Sequence, residues 1–285
     1  NDSTFIFLEN VLTEVMDIFP SMYIHIGGDE ASKKAWRNCP KCQQRIRTKK
    51  LKDENELQSY AIRRMEKFLI AHKRKLLGWD EILEGGLAPE ATVMSWRGES
   101  GGIAAAKAGH DVIMTPGTYC YFDSYQADPA TQPEAIGGYL PTEKVYSYEP
   151  IPEELDATAA KHILGAQANI WTEYIPNPYH LEYMTYPRLL ALSEVVWSDP
   201  AHKNQADFQQ RLQSHYLLLQ RLNVNYYRPS YDVTIHTDID HAHHRTIVSF
   251  TTEQYQPQIR YTLDGSMPGR SSILYTGPFA VNGSA

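Results

Sequence analysis

Apolar and polar positions along this chain fall into blocks of helical and strand period, and the two kinds of block take turns. Phe5, Leu8, Leu12, Val15, Met16 and Phe19 recur at helical spacing and stop at Pro20, which predicts a helix over 5–19. An apolar run at 22–26 predicts a strand. Residues 54–73 place Leu57, Tyr60, Ala61, Met65, Phe68 and Leu69 on one helical face, with Asp53 as N-cap. Further strands are expected at Leu76–Trp79, Ala91–Trp96, Asp111–Thr115 and Ile163–Trp171, and a short helix at 101–108 stops on Gly109. Helices near 180–197, interrupted at Pro187, and at 205–222 close the series. Alternation of this kind implies a parallel sheet with helices outside it, the α/β class.

After about residue 228 the period shortens to two. Val233–Ile235, Thr246–Phe250, Ile259–Leu263 and Ile273–Tyr275 alternate apolar and polar residues, with Asp264-Gly265 and Gly277-Pro278 as turns. That predicts a small all-β module of sandwich type over 228–285, behind a larger domain over 1–227. The histidine-rich stretch Asp238–Arg245 reads as an exposed loop, because its spacing is irregular and no companion metal tract exists.

Composition narrows the function. With 285 residues, 42% hydrophobic and 21% charged, the chain can bury a sizeable core. A net charge of −7 argues against nucleic acid, which demands a basic face. No run of 18 apolar residues exists, so no membrane span is expected, and with no basic and apolar leader at Asn1 a signal peptide is expected to be either absent or already removed. Nineteen tyrosines and five tryptophans suit sugar rings, which present C–H faces and hydroxyl edges. Cys39-Pro40-Lys41-Cys42 is a CxxC with only Cys120 beside it, so a four-thiolate zinc site is excluded within the chain. The pair reads as structural or incidental, open to a local disulfide.

The chemistry concentrates at the predicted strand ends. Tyr23-Ile24-His25-Ile26-Gly27-Gly28-Asp29-Glu30 is an apolar strand, two glycines, then adjacent carboxylates. Neighbouring side chains on a strand diverge, but glycines permit backbone angles that turn both acids toward one pocket. Carboxylates at the C-terminal ends of strands are what a (β/α) barrel places in its active site. The other strands end in Trp79-Asp80-Glu81, Ser95-Trp96-Arg97-Gly98 and Trp171-Thr172-Glu173, and Tyr121-Phe122-Asp123 lies beyond the fourth. Tryptophans interleaved with carboxylates at successive strand mouths are how proteins grip carbohydrate, and a core has no need of the pattern.

Together with His25-Ile26-Gly27-Gly28-Asp29-Glu30 and Gly78-Trp79-Asp80-Glu81, these motifs resemble family 20 of the glycoside hydrolases, the β-N-acetylhexosaminidases. The resemblance spans most of residues 1–200. Tyr261-Thr262-Leu263-Asp264-Gly265-Ser266 resembles the β-sandwich appended to many bacterial members. The resemblance implies a (β/α)8 TIM-type barrel, represented from about its fourth strand onward, and a retaining exo-hydrolysis of terminal β-linked GlcNAc or GalNAc. In that family the substrate's own 2-acetamido oxygen attacks the anomeric carbon and forms an oxazolinium-type intermediate, an exception to the two-carboxylate scheme. Glu30 is then expected as general acid and Asp29 as the residue that orients the acetamido group. An ionised neighbour favours the protonated form that an acid needs. Trp79, Trp96 and Trp171 are expected to wall the acetamido pocket, Tyr121 to hydrogen-bond the attacking carbonyl oxygen, and Asp123 and Glu173 to hold sugar hydroxyls. The implied partner is a glycan or chitooligosaccharide ending in N-acetylhexosamine. No cofactor and no metal are implied, and a periplasmic, cell-surface or secreted home is expected from the substrate class.

The pattern departs from the family at its start. The arginine, histidine and aspartate that the first three barrel strands contribute have no counterpart, so the chain is expected to be an internal fragment, poorly folded and nearly inactive when expressed alone. Three rival readings stand beside the first: a conventional retaining glycosidase with Glu173 as nucleophile, a non-catalytic glycan-binding protein, and a metal-dependent hydrolase using His25 and Asp29. Gly27-Gly28-Asp29-Glu30 also resembles the diguanylate cyclase signature, but Ala31 stands where that motif has an aromatic residue.

Overall fold

The computed structural model describes residues 2–281, which divide between Lys203 and Asn204 into two compact units. In the first, strands β1 (Tyr23–His25), β2 (Lys75–Trp79), β3 (Thr92–Ser95), β4 (Val112–Met114) and β5 (Ile163–Ala166) form one sheet in chain order. Every neighbouring pair is parallel. Parallel neighbours need crossovers; α4 (Glu54–Ala71) supplies the one between β1 and β2, and α5 (Ser100–Lys107) the one between β3 and β4. Strictly sequential parallel strands are successive staves of a (β/α) barrel. A sheet covered on both faces needs apolar strands throughout, and Leu76, Leu77, Val93, Met94, Val112 and Met114 are all buried.

The N-cap read from sequence is present: the Asp53 carboxylate accepts the backbone N–H groups of Asn55 and Glu56 at 2.9 and 3.0 Å. Behind it, Ile62, Met65 and Leu69 of α4 are buried. Helix α1 (Asp2–Ile18) matches the expected 5–19, but buries only Phe5 and Met16. Two helices between β1 and α4 escaped the periodicity, α2 (Lys34–Asn38) and α3 (Pro40–Lys49). Helix α2 buries nothing and α3 only Ile46, so no apolar stripe announces them. The short α6 (Gly117–Cys120) and α7 (Thr142–Ser147) were missed for want of length. The helix expected over 180–197 is two, α8 (Pro178–Thr185) and α9 (Arg188–Trp197), parted at Pro187 as its missing N–H requires.

One strand is shorter than expected, with consequences for the site. Strand β5 ends at Ala166, not Trp171. Its pairing with β4 shifts register between Val112 and Ile113. Pairing resumes only at one bridge, where Phe122 N–H donates to Asn169 O and Asn169 N–H to Cys120 O, both at 2.8 Å. Residues 167–171 are thereby left as a loop at the sheet's C-terminal edge.

The second unit holds α10 (Gln205–Arg221), which the change of period at about residue 228 assigns to the larger domain, and the β module. Strands β6 (Thr234–Asp240), β7 (Arg245–Thr251) and β10 (Phe279–Val281) form an antiparallel sheet in the order β10-β7-β6. Strands β8 (Arg260–Tyr261) and β9 (Ile273–Leu274) pair separately. The expected loop over Asp238–Arg245 is a turn at 241–244 between the ends of two strands. Asp240 and Arg245 are paired in register, and Asp240 accepts from Arg245 Nε at 2.8 Å and lies 2.9 Å from His243 Nδ1, so only 241–244 turn. Phe250, Tyr261, Tyr275 and Phe279 pack ring on ring, Tyr261 and Phe279 with centroids 4.5 Å apart, as the core of the module. Its end, 282–285, lies outside the described residues.

Candidate active site

Strand β1 delivers the acidic pair. Gly27 and Gly28 follow it with φ of +75° and +99°, angles that a side chain rarely adopts. Trp79 N–H donates to Gly27 O at 3.0 Å and Gln58 Nε2 to Gly28 O at 2.7 Å, pressing the turn onto the sheet. A Cβ on Gly28 would stand 2.6 Å from Ile82 Cγ2, so the turn has no room for any other residue. It releases Asp29 and Glu30, both exposed, at the C-terminal edge of β1, Glu30 with a left-handed φ of +48°. His25 Nδ1 accepts the Gly27 N–H at 3.0 Å, which leaves the neutral ring's proton on Nε2. Burial pulls the His25 pKa down and the Asp29 carboxylate beside it pulls the other way.

Next to this turn lies a cavity of about 370 Å³ lined by His25, Leu77, Trp79, Met94 and the loop from Gln167 to Trp171. The His25 ring meets Trp79 edge-on at 4.7 Å, and Trp79 meets Trp171 at 6.1 Å. Trp96 stacks on Tyr121 at 6.2 Å. Burial raises the Tyr121 hydroxyl's pKa, opposed by the Asn169 and Trp171 side chains that face it.

Asp80 and Glu81, which the sequence grouped with the pocket carboxylates, serve the pocket from behind. Both are buried, and Arg97 Nε lies 3.1 Å from Asp80 and 3.8 Å from Glu81. Buried carboxylates require such a cation. Glu81 in turn accepts the Trp96 Nε1–H at 2.9 Å and fixes that indole. Arg97 also reaches Glu84 at 3.2 Å, and Lys33 reaches Glu84 at 3.6 Å, so the loop after the acidic pair is tied to the same network.

A second group surrounds Asp123, which is buried and whose Oδ1 has no partner among the described residues. Burial pushes its pKa up, Arg188 opposes this, and Glu173 reinforces it. Arg188 is fully buried and was missed by sequence reading. Its Nη1 donates to Ser124 O at 2.9 Å and Leu140 O at 3.2 Å, and its Nη2 to Phe122 O, so it clamps the backbone on both sides of Asp123. The guanidinium also lies 5.0 Å over the Phe122 ring. The available signal was an arginine inside Pro187-Arg188-Leu189-Leu190-Ala191-Leu192, an apolar run with no place for a solvated cation.

The structure thus brings His25, Trp79 and Trp171 around one cavity and joins Tyr121 and Trp96 to it. Asp29 enters through His25, and Glu173 through Asp123. Glu30 stands on the same edge without a partner among the described residues. The raised Asp123 pKa carries a pH prediction. The folded state favours its protonated form, so that stability contribution is present below the ordinary aspartate range and lost as pH rises through the raised value. If ionised Asp123 grips a sugar hydroxyl, KM is expected to rise on the acid side at a pH above the ordinary aspartate value of about 3.9. Asp123→Asn is expected to flatten that limb of the pH–KM profile.

Comparison with known proteins agrees with this geometry. Residues 1–200 match the catalytic domain of glycosyl hydrolase family 20, and residues 242–285 match the chitobiase/β-hexosaminidase C-terminal domain. The chain is 49% identical over 285 residues to a β-hexosaminidase of Porphyromonas gingivalis, covering 97% of this chain and 36% of that protein. A β-hexosaminidase of Vibrio furnissii is 39% identical over 194 residues, covering 67% of this chain and 32% of that protein. The crystal structure of the family 20 exo-β-N-acetylglucosaminidase from Vibrio harveyi in complex with N-acetylglucosamine superposes with a TM-score of 0.72 at 34% identity, covering 79% of this chain and 36% of that chain. The chain spans about a third of the length of these relatives. A sequential parallel sheet, an acidic pair behind two glycines and an aromatic cavity at the strand ends coincide with a family match over residues 1–200, and the chain belongs to glycosyl hydrolase family 20.

Proposed function

We propose that the protein carrying this chain is a retaining exo-β-N-acetylhexosaminidase that cleaves terminal β-linked GlcNAc or GalNAc by substrate assistance, and that Asp29 and Glu30 are its catalytic pair. The observation that carries this reading is the aromatic cavity of Trp79, Trp171 and His25 beside Asp29. Such a cavity suits a small apolar group with one polar end, which describes an acetamido group.

In this reading the acetamido methyl enters between the indoles. Tyr121 donates to its carbonyl oxygen, and Asp29 accepts its N–H and balances the charge that develops on nitrogen. The carbonyl oxygen then attacks the anomeric carbon while Glu30 protonates the departing glycosidic oxygen. Glu30, now ionised, takes a proton from the water that opens the oxazolinium ion. Holding the acetamido group over the anomeric carbon is a proximity effect, worth about 7–11 kcal/mol of barrier in favourable intramolecular cases. The exposed left-handed setting of Glu30 suits a group that must reach a leaving oxygen outside the cavity. Asp123 and Glu173 grip sugar hydroxyls. A periplasmic, cell-surface or secreted location follows from such a substrate.

The conventional alternative makes Glu173 the nucleophile, which requires it about 5–5.5 Å from the acid. The two readings diverge on Glu173→Gln. As a hydroxyl ligand, Glu173 contributes mainly to binding, so KM should rise with kcat within about tenfold. A loss of kcat on the order of 10³-fold or more would make it the nucleophile and overturn substrate assistance.

A further inference from the structure

Cys39-Pro40-Lys41-Cys42 is used by none of this chemistry, and its setting is specific. Helix α3 begins at Pro40 with Cys39 as its N-cap, so Cys42 stands at the third helical position. Those two positions face each other across the first turn of a helix. Helix α3 runs ten residues, and the Cys39 thiol, which makes no capping hydrogen bond, lies at its positive dipole end. Both sulfurs are free thiols and both are partly exposed, whereas Cys120 is buried.

The two thiols are not equivalent. The Cys42 backbone amide and then the Cys42 thiol hold the Cys39 pKa below its usual value, with Lys41 adding to the effect. Burial, and then Cys39 itself, push the Cys42 pKa up. The turn that carries them is braced. Cys39 N–H donates to Trp36 O at 3.3 Å and Gln43 N–H to Cys39 O at 3.0 Å. The Gln43 side-chain amide spans Trp36 O at 3.0 Å and Glu54 Oε1 at 2.9 Å. Pro40 has no N–H to satisfy and a fixed φ suited to the first helical position.

We propose that Cys39 and Cys42 form a thiol–disulfide exchange site, with Cys39 as the attacking sulfur and Cys42 as the resolving sulfur, and a small-molecule disulfide as the reaction partner. The Cys39 thiolate attacks one sulfur of the disulfide, forming a mixed disulfide and expelling one thiolate, which takes up the proton Cys39 has lost. Cys42 then loses its proton, attacks the Cys39 sulfur and expels the second thiolate, which is protonated in turn. The protein loses two protons and two electrons, and the small disulfide takes up both and is reduced to two thiols. An exposed thiolate at a helix N-terminus with a less acidic partner three residues on is the arrangement that exchange requires. This assignment is independent of the hydrolytic reading.

Glutathione disulfide is the probe, with alkylation of remaining thiols and peptide mapping as the readout. The wild-type protein is expected to yield a Cys39–Cys42 disulfide and free glutathione, reversed by a dithiol reductant. Cys42→Ser should accumulate the glutathione mixed disulfide on Cys39, and Cys39→Ser should modify Cys42 about tenfold more slowly. Retention of both thiols by the wild-type protein, or capture at Cys42 as fast as at Cys39, would overturn the proposal. The wild-type arm needs no variant, so a misfolded variant leaves the test intact.

Discussion

Glu30→Gln is expected to lower kcat for an aryl β-N-acetylglucosaminide by about 10²–10⁴-fold, the usual contribution of a positioned general acid. The amide keeps the shape of the carboxyl and cannot deliver a proton to the leaving oxygen. Glu30 has no partner among the described residues, so the substitution breaks no internal hydrogen bond and should leave the fold and KM nearly unchanged. An interaction made only in the transition state lowers kcat and kcat/KM together. The defect should shrink as the leaving phenol becomes more acidic, because a good leaving group needs less protonation. A uniform loss across leaving groups would show that Glu30 acts on something other than the departing oxygen.

Arg188→Met should be the most damaging substitution away from the acidic pair, at about 3–5 kcal/mol of stability, the range for breaking a buried charged network. Four backbone carbonyls, of Phe122, Ser124, Leu140 and Met184, lose their donor at once. Asp123 simultaneously loses the charge that offsets its burial. Arg188→Lys should rescue little, since one ammonium cannot span carbonyls that a planar fork reaches on several sides. The denaturant midpoint reads the stability loss. Arg188 acts on substrate only through the 122–124 backbone, so the surviving folded fraction should show a raised KM with a smaller change in kcat. An unchanged midpoint would refute the clamp.

The parts of this fold that were legible in the sequence are those whose physics is local. Asp53 before an apolar helical face, the Val, Leu and Met runs of the buried strands, and the glycines before Asp29 each carry their own signal. Gly27 and Gly28 have the positive φ values that the reading required of them. Features set by partners distant in sequence were not legible. Strand β5 stops at Ala166 because its partner β4 itself ends at Met114, opposite Ala166, which nothing in Ile163–Trp171 reveals. Helix α3 shows no apolar stripe because Ile46 is its one buried residue. Asp80 and Glu81 looked like pocket acids until Arg97, a strand away, drew them inward. Arg188 reads as an ordinary helix residue until three of its carbonyl partners, 48–66 residues earlier, are seen. The candidate residues were readable because strand-end positions converge by topology, whereas the side chains that hold them are chosen by packing.

The most direct measurement of the central claim compares hydrolysis of an aryl β-N-acetylglucosaminide with that of the matching aryl β-glucoside by the protein carrying this chain. If the acetamido oxygen is the nucleophile, held in the cavity of Trp79 and Trp171 by Asp29 and Tyr121, the first substrate should be cleaved faster by a factor on the order of 10⁴ or more. Comparable rates for the two would contradict the account, because a sugar with no acetamido group would then have found its nucleophile on the enzyme.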